Sequence, residues 1–494
     1  MNKKSLLSAF LTAIIISGLT LVGTAHFGTV HASTEVRGII NSDTTWTKAS
    51  SPYSLTGHTA VNTGVTLTIE AGVTVNLNEY YIQVNGTLIA RGTDNDKIYF
   101  NGGSIIFTSV STSWNEQTNS GSIIENAVSS ASISISGVSV KVSKSSLNGI
   151  NIDGGSSTVS YNTIGSINLD GGSPLISNND ITGEFVMRGG SPTVTANTIH
   201  GRPWLRSGSA VISGNKIFDG IHADASPGGS VTISNNEINS KNNYRLIYVQ
   251  SIHADISNNK IIGNNNNPTG ISVSGVRSSA SITQNQIYGC QIGINIEQCD
   301  VQIFRNVIFN NNIGINILFY APIAGAGPPW SNNPTADIQE NTIAKNSIGI
   351  QYTPYVLTST IANNNIYDNS QYNFKLLQYP DDISIPNNWW GTTDKQDIAQ
   401  KIYDNKNDFN LGIVTFEPFL TAPNPEAPAI PTSTSTPTPP PTSSPSPTSS
   451  PTPTSTPSKE PQQTEQSEAI VGAAIVVAVL GAGLGLLIYL IKRK

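Results

Sequence analysis

Charged and aromatic residues recur at near-constant spacing between residues 150 and 224. Asp153, Asp170, Arg188, Arg206 and Asp224 are each preceded two positions earlier by Asn151, Asn168, Val186, Trp204 and His222. The positions between them, Ile152, Leu169, Met187, Leu205 and Ala223, are all apolar. This alternation belongs to a half-buried strand, with the middle residue turned inward and its neighbours outward. On stacked strands the outward residues form two columns, Asp, Asp, Arg, Arg, Asp beside Asn, Asn, Val, Trp, His, with Glu184 and Arg202 at the strand starts. Three chemistries fit them. Opposite charges can pair across an exposed sheet at little energetic gain. Sugar binding is the second, with Trp204 as an aromatic platform and Asp170, Arg188, Arg206 and Asp224 bonding hydroxyls or clamping an acidic sugar. The third is catalysis, by an Arg or His222 abstracting a proton or by two carboxylates acting as acid and base. Strands roughly 4.8 Å apart make Asp153 and Asp170 neighbours but set Asp224 several strands away, which weighs against a carboxylate pair.

The elements that position these columns follow from a second periodicity. Asn162, Asn179, Asn197, Asn215, Asn236, Asn259, Asn285, Asn306, Asn341, Asn364 and Asn388 each stand two residues before an apolar residue. Their spacing is 17 residues between Asn162 and Asn179 and 35 between Asn306 and Asn341. Units this short, without a helical period, cannot bury an apolar face alone and must stack as coils of a parallel β-solenoid. Phrases such as Gly293-Ile294-Asn295-Ile296 and Gly314-Ile315-Asn316-Ile317 alternate in twos, as strands do. The repeated Asn then falls in a column where its amide bonds the coils above and below and satisfies buried turn backbone. By the same alternation Ser272 is a surface position. The longest insertion, Leu318 to Pro334 with Gly325, Gly327, Pro328 and Pro329, reads as a loop leaving one side of the rod.

With its opening phrases Gly64-Val-Thr-Leu-Thr-Ile-Glu-Ala-Gly72 and Val84-Asn-Gly-Thr-Leu-Ile-Ala-Arg-Gly92, and its close Asn387-Asn-Trp-Trp-Gly-Thr-Thr-Asp394, the chain resembles right-handed parallel β-helix proteins of the NosD-like, carbohydrate-binding and sugar-hydrolase repeat type. The likeness runs from about Thr34 to Leu420. It implies a right-handed parallel β-helix and leaves function open, because lyases, hydrolases, adhesins and binding rods share this architecture. Copper delivery, which a NosD-like relationship suggests, fits poorly. Beyond residue 32 there are one Met, Met187, and four scattered His, His58, His200, His222 and His253, whereas soft-ligand copper sites need such residues clustered. No Gly-Gly-x-Gly-x-Asp calcium repeat occurs, so metal stays unassigned and no cofactor is expected.

Both ends of the chain suggest work outside the cell. Lys3 and Lys4 precede an apolar run from Leu6 to Val22, and Val30-His31-Ala32 places small residues where a signal peptidase cleaves, so residues 1–32 read as an export signal. Residues 469–491 carry no charge and precede Lys492-Arg493-Lys494. This segment is long enough to span a bilayer as a helix and leave the basic tail, 492–494, in the cytoplasm. Residues 422–468 hold 14 of the 28 prolines among Thr and Ser, the composition of a disordered, extended stalk. Asn85-Gly-Thr87 is a candidate N-glycosylation site. A net charge of −6 without basic runs outside the termini makes nucleic acid an unsuitable partner. Cys290 and Cys299 flank one predicted strand, which holds them too far apart for a disulfide.

The sequence therefore describes an all-β protein: signal 1–32, N-terminal capping coils 33–122, β-helix repeats with a C-terminal cap 123–421, stalk 422–468 and a single-pass membrane helix 469–491. The expected location is the cell membrane with the β-helix extracellular. The expected task is binding glycans or neighbouring surface proteins, for envelope structure or adhesion. The alternative is a membrane-tethered polysaccharide lyase or glycoside hydrolase.

Overall fold

The computed structural model describes residues 33–206, 208–224, 229–239, 245–264, 268–275, 277–319, 334–354 and 359–431. The expected signal, the membrane segment, its basic tail, residues 432–468 of the stalk and residues 320–333 of the long loop lie outside them. Within the described residues the protein is all-β and its strands pair in parallel, each with the equivalent strand one coil further on. Among them no helix is long and apolar enough to cross a membrane.

Three strands per coil build three faces. The first is a 15-stranded sheet that begins at Thr44–Trp46 and ends at Thr360–Ala362. The other two belong to one continuous 26-stranded assembly. Strand Thr163–Leu169 pairs through Thr163 and Ile164 with Asp180–Ile181, and through Ile167 to Leu169 with Phe185–Met187. From that coil onward the assembly bends into a second and a third face. The apolar residue two positions after each Asn points into the interior. Ile164, Ile181, Ile199, Ile217, Ile238, Ile261, Ile287, Ile308, Ile343 and Ile366 form one fully buried column. Each contributes about 1.5–3 kcal/mol on removal from water, so stacking is the main source of stability.

The Asn column is continuous from Asn162 to Asn388. Oδ1 of Asn179 accepts from the backbone N–H and the side-chain amide of Asn162, both at 3.0 Å, while its Nδ2 donates to Val159 O at 2.9 Å. The residue before the anchor is left-handed in almost every coil, as at Tyr161 (φ 60°), Ala196 (φ 55°) and Asn258 (φ 56°). This conformation is costly without glycine, and the amide ladder secures it by bonding the turn backbone on both sides. A second ladder, Asn311, Asn346 and Asn369, runs along a neighbouring corner and ends on Asn373. The sequence reading did not identify it, because only the last coils carry these residues.

The C-terminal cap includes helix α1, Lys395–Gln400, whose N-cap Asp394 accepts from the N–H groups of Gln396 and Asp397. The first residues of the expected stalk belong to the folded part. Asn424 exchanges hydrogen bonds with Asn365, Glu426 pairs with Arg305 at 2.6 Å, and the folded unit ends at Pro431. Proline content marked 422–431 as extended, but these tertiary bonds hold it on the last coils. Cys290 and Cys299 are buried free thiols, and desolvation pushes both pKa values up to about 12.

Candidate functional site

All seven candidate side chains lie on the third face. Asn151, Asn168, Val186, Trp204 and His222 are successive partners in register, and the column continues through Tyr248 and Ser272. In the parallel column the N–H groups of Asp170, Arg188 and Arg206 donate to Ile152, Leu169 and Met187 O at 2.7–2.8 Å, and Asp224 pairs with Gln250. The intervening Ile152, Leu169, Met187, Leu205 and Ala223 are at most 2 % exposed, so the inward and outward assignments hold.

The two ends of the columns differ. Asp153 is exposed, and Arg188 reaches Asp170 at 3.1 Å with both side chains nearly half exposed. A solvent-facing pair of this kind contributes little to stability. From Trp204 onward the groups interlock. The Trp204 and His222 rings stack 4.7 Å apart at 11°, and His222 meets Tyr248 edge-on at 4.9 Å. The guanidinium of Arg206 lies 5.0 Å from the Trp204 ring centroid and that of Arg245 lies 4.3 Å from the Tyr248 centroid, both cation–π contacts. His222 Nε2 stands 3.3 Å from Asp224 Oδ2. Burial lowers the His222 pKa below its ordinary 6.5, with Arg202 and Arg245 opposing the cation and Asp224 favouring it. The other carboxylate oxygen of Asp224, Oδ1, is buried without a hydrogen-bond partner among the described residues.

Two sequence expectations need correction. Trp204 is not an open platform, since His222 covers one of its faces. What meets solvent is an aromatic stack flanked by guanidinium groups. Val186 and Ser272 are on the outward columns but are only 4 % and 1 % exposed. Both are small next to Trp204, Tyr248 and Asn295, their neighbours in the ladder, which cover them. Ser272 is therefore not a surface position.

Tyr248, Gln250 and Arg245 belong to the same cluster and were missed. The insertion between Asn239 and Arg245 lengthens this coil, so a fixed count from Asn236 does not reach Tyr248. The alternation Tyr248-Val249-Gln250, matching His222-Ala223-Asp224, was the available signal. Arg202 acts differently from the other cations, donating to Asp219 O at 2.9 Å and to Arg245 O at 3.3 Å, where it ties two coil corners together. Glu184 is exposed.

Other polar groups lie elsewhere. On the first face His253 Nδ1 is 2.8 Å from Ser279 Oγ and its Nε2 is 3.4 Å from Asp255 Oδ1, beside a cavity of about 330 Å³ also lined by Asp300 and Asp337. Further cavities of about 460 Å³ and 350 Å³ lie at Asp368, Trp390 and Lys401 and at Arg305 and Glu426. None of the seven candidates lines these three cavities. Among the described residues no three His, Cys, Asp or Glu side chains group as metal ligands. Asn85 is half-exposed and its Oδ1 accepts from Gln83 and Thr108. No known family model, curated protein or solved structure matches this chain.

Proposed function

We propose that this chain is a surface-anchored, right-handed β-helix that binds acidic glycans of a cell envelope through the Trp204–His222–Tyr248 face. The observation that carries this reading is the pair Arg206 and Arg245. Each holds its guanidinium over an aromatic ring, and among the described residues neither forms an ion pair. A ring contact orients a cation without neutralising it, which leaves two directed donors for a carboxylate, sulfate or phosphate on a sugar. Tyr248 and Gln250 add neutral groups able to bond hydroxyls. Right-handed winding is supported by the strong preference of parallel strand crossovers for that hand. Anchoring rests on the uncharged run 469–491 and its basic tail, and export on residues 1–32. The same face could also meet an acidic neighbouring surface protein.

The test is a screen of the purified protein against acidic and neutral polysaccharides. Acidic chains should bind, and Arg206→Ala or Arg245→Ala should each weaken binding about 10-fold or more, the worth of a charge-assisted hydrogen bond. Equal retention of a neutral polysaccharide, or no response to either substitution, refutes the reading. Depolymerisation of an acidic polysaccharide, lost in Arg188→Ala or Asp170→Ala, would replace it with a tethered lyase or hydrolase.

A further inference from the structure

Among the described residues the solenoid begins at strand Thr34–Ile40, which pairs there with Tyr53–Val61 alone. Thr34 donates its N–H to Pro52 O at 2.8 Å, and Ile40 O accepts from Asn62 N–H at 3.1 Å. Successive residues of a strand turn their backbone groups to opposite sides, so Thr34 and Val36 face the next strand whereas Glu35 and Arg37 present N–H and C=O to the open edge. The interior is incompletely closed at the same end. Val36 and Ile40 are only partly buried against the core, and Ile39 is 64 % exposed. A free edge beside apolar surface is a template for another strand.

We propose that this edge joins two copies of the chain head to head, by antiparallel pairing of Thr34–Arg37 about a two-fold axis at Val36. Charge selects this register. An axis at Glu35 or at Arg37 sets like charges directly opposite each other, which is destabilising. With Val36 on the axis, Glu35 faces Arg37 of the second copy and Arg37 faces its Glu35, both on the exposed outer side. Hydrogen bonding selects the same register. Glu35 and Arg37 carry the outward backbone groups and form the two hydrogen-bonded pairs, while Val36 meets Val36 as the non-bonded pair, on the side of the partly buried core. Gly38, at φ 84°, sits at a register shift that bends the strand just past Arg37, and the two-fold axis closes the contact at two copies. The inference does not depend on glycan binding, whose residues lie several coils away.

Crosslinking of the full chain in membranes tests it. Two Val36 Cα atoms in a non-bonded antiparallel pair lie about 4.5 Å apart, within disulfide range. Val36→Cys treated with diamide should give a covalent dimer on a non-reducing gel, and Ile39→Cys, exposed but out of register, should not. Cys290 and Cys299 are buried and do not contribute. Added to Val36→Cys, Glu35→Arg or Arg37→Glu should each cut the dimer yield about 10-fold. The double exchange, Glu35→Arg with Arg37→Glu, should restore it. The proposal is overturned if Val36→Cys yields no more dimer than Ile39→Cys, or if the double exchange stays as low as the single ones. Should Val36→Cys fail to fold, sedimentation of the detergent-solubilised chain reads the same pattern without a crosslink. Dimer must then be present in the parent, lost in each single exchange and regained in the double.

Discussion

Replacing Asn259 by alanine tests the amide ladder that runs from Asn162 to Asn388. Asn259 is 1 % exposed, and its side chain and N–H take part in five hydrogen bonds. Its Nδ2 donates to Ile233 O at 2.8 Å and to Asn285 Oδ1 at 2.9 Å, its N–H donates to the same Oδ1, and its Oδ1 accepts from the N–H and Nδ2 of Asn236, both at 3.0 Å. Truncation removes four of these, but not all the partners are stranded. Asn236 Nδ2 keeps Ile212 O, and Asn285 Oδ1 keeps the N–H of residue 259. The N–H of Asn236 is left without a partner inside the solenoid, whereas the carbonyl of Ile233, in a strand paired on both sides, stays in the ladder. At about 1–3 kcal/mol for an orphaned buried group, the loss is about 1–3 kcal/mol. Lys260→Ala, on the adjacent exposed position, is the control and should stay within about 0.5 kcal/mol of the parent. Urea unfolding of residues 33–431, followed by far-ultraviolet circular dichroism, measures both. Stabilities for Asn259→Ala and Lys260→Ala that agree within 0.5 kcal/mol or so would refute the amide ladder as a stabilising element.

The remaining predictions concern titration and reactivity. The fold holds His222 below 6.5, so it favours the neutral ring. The resulting stability is complete above the unfolded pKa and is lost as pH falls through the lower folded value. Unfolding curves at pH 7.5 and 5 should show the parent losing more stability on acidification than His222→Phe, and equal losses would show that the stack is indifferent to the imidazolium. Cys290 and Cys299, both with pKa values pushed up to about 12, should resist a thiol reagent at pH 8 in the folded protein and react once guanidinium unfolds it. Rapid labelling of the native chain would contradict their burial.

Much of the architecture was readable from local pattern. From Asn162 to Asn388 each coil repeats the same short instruction, an Asn followed two residues on by an inward apolar side chain, and alternation alone separates Ile152, Leu169 and Met187 from their outward neighbours. Both periods are properties of neighbouring residues along one strand, so they survive without any knowledge of what stacks above or below. Composition, by contrast, misplaced the end of the folded part. Residues 422–431 share the composition of the expected stalk, yet Asn424 and Glu426 bond them to distant coils.

The composition of the outer face was a different problem. The sequence by itself determined that Asp170, Arg188, Trp204, Arg206, His222 and Asp224 point outward on adjacent coils, because their spacing from the Asn anchors is nearly constant. It did not determine that Tyr248 and Arg245 complete the cluster, since the insertion after Asn239 changes the count while leaving the stacking unchanged. Nor did it determine that Trp204 is covered by His222 or that Val186 and Ser272 are buried. Direction along a strand is set by backbone geometry, which one residue's neighbours in sequence define. Exposure on a stacked face is set by the relative size of side chains one coil above and one below, and only the tertiary structure brings those together.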